Sequence, residues 1–368
     1  MKLLHTADLH IGKRVLERSM IEDVHLALEE ILEIARDERV DGVLIAGDVY
    51  DRPVPPVEAV ELFSSFLLTL AKEKIPVFLI AGNHDSPERL AFCGEILDLG
   101  GIHAAGVCRG APKTVVLERE ERVAIHMVSF ARTAALRPFA EKELNSAADA
   151  MGAVLEKIDF TVADRHILLA HAFVAGGMTS DSEINPIGTA EALPADLFRG
   201  FDYVALGHLH GPQTVADGVR YAGSPLKYSF SEKDHRKSVT LLELLPNTPP
   251  TWREIPLHAL RDMREVRGEL ASLLRGEYSE DYIRAVVTDT DVPPDARLAL
   301  QTVYPNLLRF AVENQRTLYE EEVAPAEGVE RRDPLSLFAE FYEMQNGIAP
   351  DAARLALMGK LLCEEVEE

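Results

Sequence analysis

The chain has 368 residues, enough to bury a large core and to hold more than one folding unit. Hydrophobic residues make up 47% and no apolar run approaches 18 residues, which excludes a helical membrane span. With 38 Lys and Arg against 61 Asp and Glu, the net charge of −23 excludes a protein that coats nucleic acid through bulk charge, though not one that grips phosphates through bound cations and a local basic patch. The three cysteines, Cys93, Cys108 and Cys363, are scattered and form no CxxC pair, so neither a disulfide framework nor a zinc ribbon is expected. The opening Met1–Asp8 has no signal-peptide core or cleavage site, and the expected compartment is the reducing cytoplasm. Glu320–Glu322 and the acidic ending Glu364–Glu368 read as solvated faces or tail.

Taken in order, Lys2–Thr6 reads as the first strand. Ile21–Val40 has helical periodicity, with Val24, Leu28, Ile31, Leu32 and Ala35 on one face. Asp41-Gly42 ends it and strand Val43–Ala46 begins. Pro53, Pro55 and Pro56 stiffen the next loop, and Pro56 suits the first turn of a helix over about Val57–Lys74. Strand Val77–Ile80 and a helix from Pro87 to about Leu97 follow. This βαβαβα order predicts a parallel sheet with helical crossovers. An antiparallel pair, Lys113–Glu118 with Val123–Ser129, comes next, then a helix over Ala147–Ile158 and a strand over Arg165–Ala170. Phe173–Gly188 is polar and glycine-rich, the composition of an active-site loop. Further strands are expected at Tyr203–Leu206, Gln213–Ala216, Val219–Ala222, Val239–Leu244 and Trp252–Ile255, with Asp217-Gly218 as a hairpin turn. The fold class is therefore α/β, a two-sheet β-sandwich flanked by helices.

Near Pro256 the character changes. A helix over Leu257–Leu274, a strand at Tyr282–Thr288, a helix at Pro294–Val303 and a strand at Asn306–Ala311 make a small αβαβ module. Residues 316–332 are linker-like, and Asp333-Pro334 opens a helix to Gln345 that carries Leu335, Leu337, Phe338, Phe341, Tyr342 and Met344. Ala352–Val366 is a last helix. The expected units are 1–256, 257–315, a linker 316–332 and a helical segment 333–368.

The chemistry concentrates at strand ends. Leu3–Ala7 runs into Asp8-Leu9-His10, Val43–Ala46 into Gly47-Asp48, Ile75–Ala81 into Gly82-Asn83-His84-Asp85, Ile167–Ala170 into His171, and Tyr203–Leu206 into Gly207-His208-Leu209-His210. Any one of these could be a turn cap, and a lone histidine such as His171 is ordinarily core or surface. Five apolar runs in order, each ending in Asp, Asn or His, point instead to one polynuclear site, because ligands bind outside the carboxyl ends of strands in α/β sheets. Carboxylate, imidazole and amide oxygen together suit Mn²⁺, Fe or Zn²⁺ better than Mg²⁺ or Ca²⁺. Asp8, His10, Asp48, Asn83, His171, His208 and His210 exceed what one ion needs, whereas two ions sharing a carboxylate fit, an arrangement that serves phosphoryl transfer by acidifying an attacking water. His84 is left to protonate the leaving oxygen or steady the transition state, with Asp85 as its orienting partner.

The ordered set Asp8-x-His10, Gly47-Asp48, Gly82-Asn83-His84-Asp85, His171 and Gly207-His208-Leu209-His210 resembles the signature of the calcineurin-like metallophosphoesterases. The resemblance implies that Asp8, His10 and His210 hold one metal, that Asn83, His171 and His208 hold the other, that Asp48 bridges, and that His84 is catalytic. Thr6–Lys13, Gly47–Pro53, Tyr221–Glu232 and the ending with Asp333-Pro334-Leu335, Phe338 and Phe341-Tyr342 are similar to the DNA-repair nucleases of that family, which pair with a coiled-coil ATPase. This closer likeness spans essentially the whole chain. It implies a homodimeric Mn²⁺-dependent nuclease, 3′–5′ exonuclease on duplex DNA and endonuclease on single strands, with a DNA-capping module at 257–315 and a C-terminal helical segment that docks the ATPase. DNA contacts are expected from Lys13, Arg14, Arg52, Arg89 and Lys227 if these gather near the metals.

Other readings stay open at this point. The same metal core could serve a phosphodiesterase of small molecules or phosphoproteins, or an inactive DNA-end scaffold. Tyr50 and Asp51 either shape a loop or join the site. Ser224 lacks the flanking glycines of a nucleophile elbow. His5, His25, His103, His126, His166, His235 and His258 read as ordinary, and the Leu335–Met344 stripe as either a docking face or intramolecular core.

Overall fold

The computed structural model describes residues 1–183, 192–313, 334–346 and 348–364. Two compact units divide the chain, Met1–Met263 and Arg264–Glu368.

The first unit is built on two six-stranded sheets. One runs Thr251–Pro256, Ser238–Glu243, Lys2–Thr6, Gly42–Ile45, Val77–Ile80, Ile102–Ala105. Its last four strands are parallel, as the βαβαβα order predicts. The sheet as a whole is mixed, because Ser238–Glu243 lies antiparallel along Lys2–Thr6 and Thr251–Pro256 continues beside it. These late strands close the edge of the first sheet rather than extending the second, a long-range pairing that no local signal carries. Ile102–Ala105, directly after Gly100-Gly101, is a strand the periodicity did not reveal. The other sheet runs Gln213–Ala216, Val219–Tyr221, Tyr203–Gly207, Arg165–His171, Arg122–Val128, Lys113–Glu118. Its centre is parallel and its two hairpins, around 119–121 and Asp217-Gly218, are antiparallel.

Alternation along the strands decides how the sheets pack. Leu3, Leu44, Phe78 and Ile80 from one sheet meet Ile125, Met127, Ile167, Leu169 and Tyr203 from the other in a single buried cluster. Leu168, Ala170, Val204 and Leu206, the intervening residues, bury against the helix Ala147–Leu155 through Ala150 and Val154. Ser146 caps that helix in a reciprocal box with Asp149. The crossover helices Ile21–Asp37 and Val57–Lys72 bury the apolar faces read from their periodicity. Past Pro87 the expected single helix is two short ones, Pro87–Leu90 and Gly94–Leu99, broken where Cys93 takes a left-handed conformation (φ 57).

In the second unit, Met263–Gly268, Tyr282–Val287 and Leu307–Val312 form a three-stranded sheet with the helices Leu270–Leu273 and Ala296–Leu300. The helix expected over Leu257–Leu274 is thus mostly strand and loop. Leu260, Met263, Val266 and Leu270 have helical spacing, but pairing with Tyr282–Val287 overrides the local pattern. Ile283, Ala285, Leu300, Tyr304 and Leu307 centre its core. Helices Pro334–Asn346 and Ala352–Glu364 pack on one another. The expected linker 316–332, the helix opening at Asp333 and the acidic stretches 320–322 and 365–368 lie outside the described residues, as does 184–188 of the glycine-rich loop. No helix among the described residues is long and apolar enough to cross a membrane.

Candidate metal centre

All five strand ends converge. Asp8 and His10 follow Lys2–Thr6, Asp48 follows Gly42–Ile45, and Asn83 and His84 follow Val77–Ile80, all from the first sheet. His171 ends Arg165–His171, and His208 and His210 follow Tyr203–Gly207, from the second. The amides of Asp8 and His10 donate to the carbonyls of Gly47 and Asp48 at 3.0 Å, tying adjacent turns together. Glycine permits close approach here, between the two sheets at Gly207 and between adjacent turns of the first sheet at Gly82. A Cβ on Gly207 would sit 1.9 Å from the Ala46 carbonyl oxygen, and one on Gly82 would sit 2.1 Å from Asp48 Oδ1. Asp8 (φ 53), His10 (φ 43), Asp48 (φ 48) and His208 (φ 107) all hold positive φ, backbone strain of the kind that persists where the surrounding structure enforces a site.

Two groups of donors share one carboxylate. Ligand atoms of Asp8, Asp48 and His171 lie within 4.8 Å of one another, and so do those of His10, Asp48 and His84. His171 Nε2 is 2.9 Å from Asn83 Oδ1 and 3.5 Å from Asp48 Oδ2. His208 Nδ1 is 3.0 Å from the same Asn83 oxygen, and His10 Nε2 is 3.1 Å from His210 Nε2. Ligand atoms about 2.1 Å from an octahedral cation stand about 3 Å apart along an edge, so these spacings fit donors around divalent ions. His10 Nδ1 is buried without a hydrogen-bond partner.

Electrostatics favour the same use. Burial, and then the neighbouring Asp48, pushes the Asp8 carboxyl well above its usual range, and burial raises Asp48 to about 6. Burial also pulls His171 and His208 down to about 3 and His10 well below its ordinary value. The imidazoles are therefore neutral with lone pairs to offer, and the paired carboxylates repel one another until a cation sits between them.

Around this centre lies a layer that sequence reasoning missed. His210 Nδ1 faces Glu232 Oε1 at 3.1 Å and Ser182 Oγ at 2.9 Å. Glu232 is fully buried and paired with Lys237, whose ammonium also donates to the His210 carbonyl and to Ser224 Oγ. Burial works to raise Glu232, but the hydrogen bond to His210 and the charge of Lys237 hold it far below the usual carboxylate range. Glu183 accepts from the His210 amide at 2.6 Å. Glu232 closes the Tyr221–Glu232 stretch, whose one local hint was a carboxylate in an otherwise apolar and hydroxyl-rich run. Ser224 thus serves as a buried hydrogen-bond partner.

His84 lies at the rim, its ring 4.8 Å from that of His10. Its Nδ1 is 2.9 Å from the Asp51 carbonyl oxygen, and its amide donates to Asp48 Oδ1 at 2.8 Å. Asp85 does not orient this ring. Its carboxylate accepts instead from the amides of Val49, Tyr50 and Gly82, so it braces the loop that carries Asp48, and burial raises it to about 7. Asp51 joins the site's edge, where it pairs with Lys13 at 2.8 Å and lies 3.7 Å from Arg52. Of the expected cations, Lys13 and Arg52 therefore flank the centre. Lys227 is committed to Asp262 at 2.8 Å, Arg14 turns back on Glu17, and Arg89 is in the short helix Pro87–Leu90. The five form no single basic patch.

A sequence profile described as calcineurin-like phosphoesterase matches residues 1–212, and one described as Type 5 capsule protein repressor C-terminal domain matches 259–346. The SbcD component of nuclease SbcCD from Bacillus subtilis (strain 168) is 33% identical, with 100% of this chain and 99% of that one covered. The chain belongs to the SbcD family of calcineurin-like phosphoesterases. The same component of nuclease SbcCD from Staphylococcus epidermidis is 30% identical over 93% of each chain. A dimetal phosphatase from Danio rerio aligns at a TM-score of 0.41 and 14% identity, covering 69% of this SbcD-family chain and 95% of its own.

Proposed function

We propose that this SbcD-family chain is a Mn²⁺-dependent DNA nuclease that hydrolyses phosphodiester bonds with two metal ions, as a 3′–5′ exonuclease on duplex ends and an endonuclease on single strands. The observation that carries the reading is the cluster of buried donors gathered around Asp48, in a chain that aligns end to end with a protein named as a nuclease component. Asp8, His10 and His210 would hold one ion and Asn83, His171 and His208 the other, with Asp48 between. When bound, the ions supply an activated water and charge neutralisation on the phosphate. Glu232 would accept a hydrogen bond from the Nδ1–H of His210 and so turn the Nε2 lone pair inward. His84, with Nδ1 anchored on the Asp51 carbonyl, presents Nε2 to the leaving oxygen and delivers a proton there. Lys13 and Arg52, beside Asp51 at the edge of the donors, would meet the DNA backbone.

The remaining parts fit a larger assembly. Phe341 and Leu357 on the C-terminal helices are exposed, the surface a coiled-coil ATPase of the SbcC type would cover. Val57, Leu68, Phe92, Ile96 and Leu99 are likewise exposed on the first unit and would be covered in a homodimer. The module at 257–315 would cap the DNA, and the working place would be the cytoplasm, at the nucleoid. The deciding experiment is digestion of an end-labelled duplex by the purified chain with Mn²⁺, Mg²⁺ or chelator. Mn²⁺-dependent degradation that chelator stops is expected. Turnover of a generic phosphodiester with no cleavage of any DNA, alone or with the ATPase, would overturn the nuclease reading and keep the metal core.

A further inference from the structure

Beside the metal centre the first unit has a cavity of about 420 Å³. That is the size of a small-molecule site and far too narrow for a stacked duplex. Asn83, His171 and His208 form one side, so the cavity opens onto the donors assigned above to the second ion. Its other walls are mostly apolar, including Phe130, Leu136, Met151 and Phe173, with Ser129, Arg132 and Thr133 among them. Phe130 stands edge-on to His171 at 6.2 Å between ring centroids, and Phe173 lies 6.4 Å from His208, so both aromatic rings flank the mouth where the metal donors are. Arg132 is exposed on the lining and forms no ion pair or side-chain hydrogen bond among the described residues.

A largely apolar chamber, a pair of aromatic rings and a guanidinium with no ion pair among the described residues, all adjoining a candidate metal centre, match one chemical unit. That unit is a planar aromatic base carried on a sugar phosphate. We propose that the cavity receives the nucleobase of the nucleotide next to the scissile phosphate, swung out of its stack, while Arg132 holds an adjoining phosphate. The inference rests on the nuclease reading and deepens it. Arg132 and the ions that Asn83, His171 and His208 would help to hold would grip phosphate, and the flipped base fixes which phosphate lies in reach of His84. Bases that unstack readily, at strand ends, mismatches and single strands, are therefore the preferred substrates. The apolar part of the walls, with its two rings, offers every base a face to stack on, a contact that tolerates any sequence.

The test compares cleavage of duplexes with an intact or an abasic nucleotide at the scissile position by the full chain, its Met151→Trp variant, which fills the cavity, and its Phe173→Ala variant, which removes one ring. Expected is a loss of at least about tenfold in kcat/KM for the abasic duplex with the native chain. Each variant should lose a similar factor on intact DNA and no longer distinguish the two duplexes, while metal content per chain and thermal midpoint stay at native values. The Phe173→Ala variant guards against misfolding from the larger substitution. Equal cleavage of intact and abasic duplexes by the native chain, or full discrimination retained in both variants, would overturn the base pocket and leave the nuclease reading standing. No cleavage of any DNA, alone or with the ATPase, would remove both.

Discussion

Two groups of buried histidines belong to the same sandwich, and they differ in how their nitrogens are satisfied. At one site His126 Nδ1 meets Thr114 Oγ1 at 2.9 Å, His126 Nε2 meets His166 Nδ1 at 3.0 Å, and His166 Nε2 meets the Ala163 carbonyl at 3.2 Å. Each ring nitrogen is used, the two rings stack within 8° of parallel, and the chain of bonds ends on a backbone acceptor. At the strand ends, by contrast, His10, His171, His208 and His210 face carboxylates, an amide oxygen and one another, and His10 Nδ1 makes no hydrogen bond, its nearest carboxylate being Asp51 Oδ1 at 3.7 Å. Burial lowers the proton affinity of histidines in both groups. What makes one of them a candidate metal centre is the company of two repelling carboxylates and a strained backbone that keeps the donors aimed inward. Buried histidine by itself is a structural hydrogen-bonding group.

The comparison can be broken most forcefully at the shared carboxylate. Asp48→Ala should release both ions and lower turnover on the order of 10³-fold or more, because Asp48 would stand between the two assigned ligand sets. Two ions per chain retained, by elemental analysis, would refute the sharing. His84→Ala should lower kcat by about 10²–10⁴-fold with metal content unchanged, as for loss of a positioned acid. Unaltered cleavage rates would remove it from the chemistry. Glu232→Gln keeps the shape but loses the charge that faces His210 and Lys237. Metal affinity by titration calorimetry should weaken about 10–100-fold, and native affinity would make Glu232 a packing residue only.

The smallest effect belongs to the closed pair. His126→Leu should leave metal content and turnover at native values and cost about 1–3 kcal/mol of stability in denaturant, since Thr114 and His166 lose their partner. Burial and then His166 pull His126 from 6.5 down to about 4. The unfolded chain therefore binds the proton more readily, so this contribution to stability is whole above pH 6.5 and declines as pH falls toward 4. The variant should show a shallower acid-side slope in chelator. An undiminished slope would assign the acid sensitivity to other groups, of which His5, pulled down to about 3 by burial, is the next to substitute.

The sequence by itself determined the strand ends. A short apolar run stopping at Gly-Asp or His is local chemistry, and although none was decisive alone, the five such runs in order placed Asp8, His10, Asp48, Asn83, His171, His208 and His210 as a set. Helical faces such as Val24, Leu28 and Ile31 were legible for the same reason, because a period of 3.6 is written in consecutive residues. Tertiary structure alone decided what lay across large sequence separations. It set Ser238–Glu243 against Lys2–Thr6, made strand of Met263–Gly268 despite helical spacing, and took Asp85 from His84 to the backbone of Val49 and Tyr50. It also brought Glu232 and Lys237 behind His210, and opened a cavity beside Asn83. These depend on which strands pair, in what register and how closely the two sheets meet, and such contacts are settled by packing between distant segments, for which a single sequence carries no periodic signal.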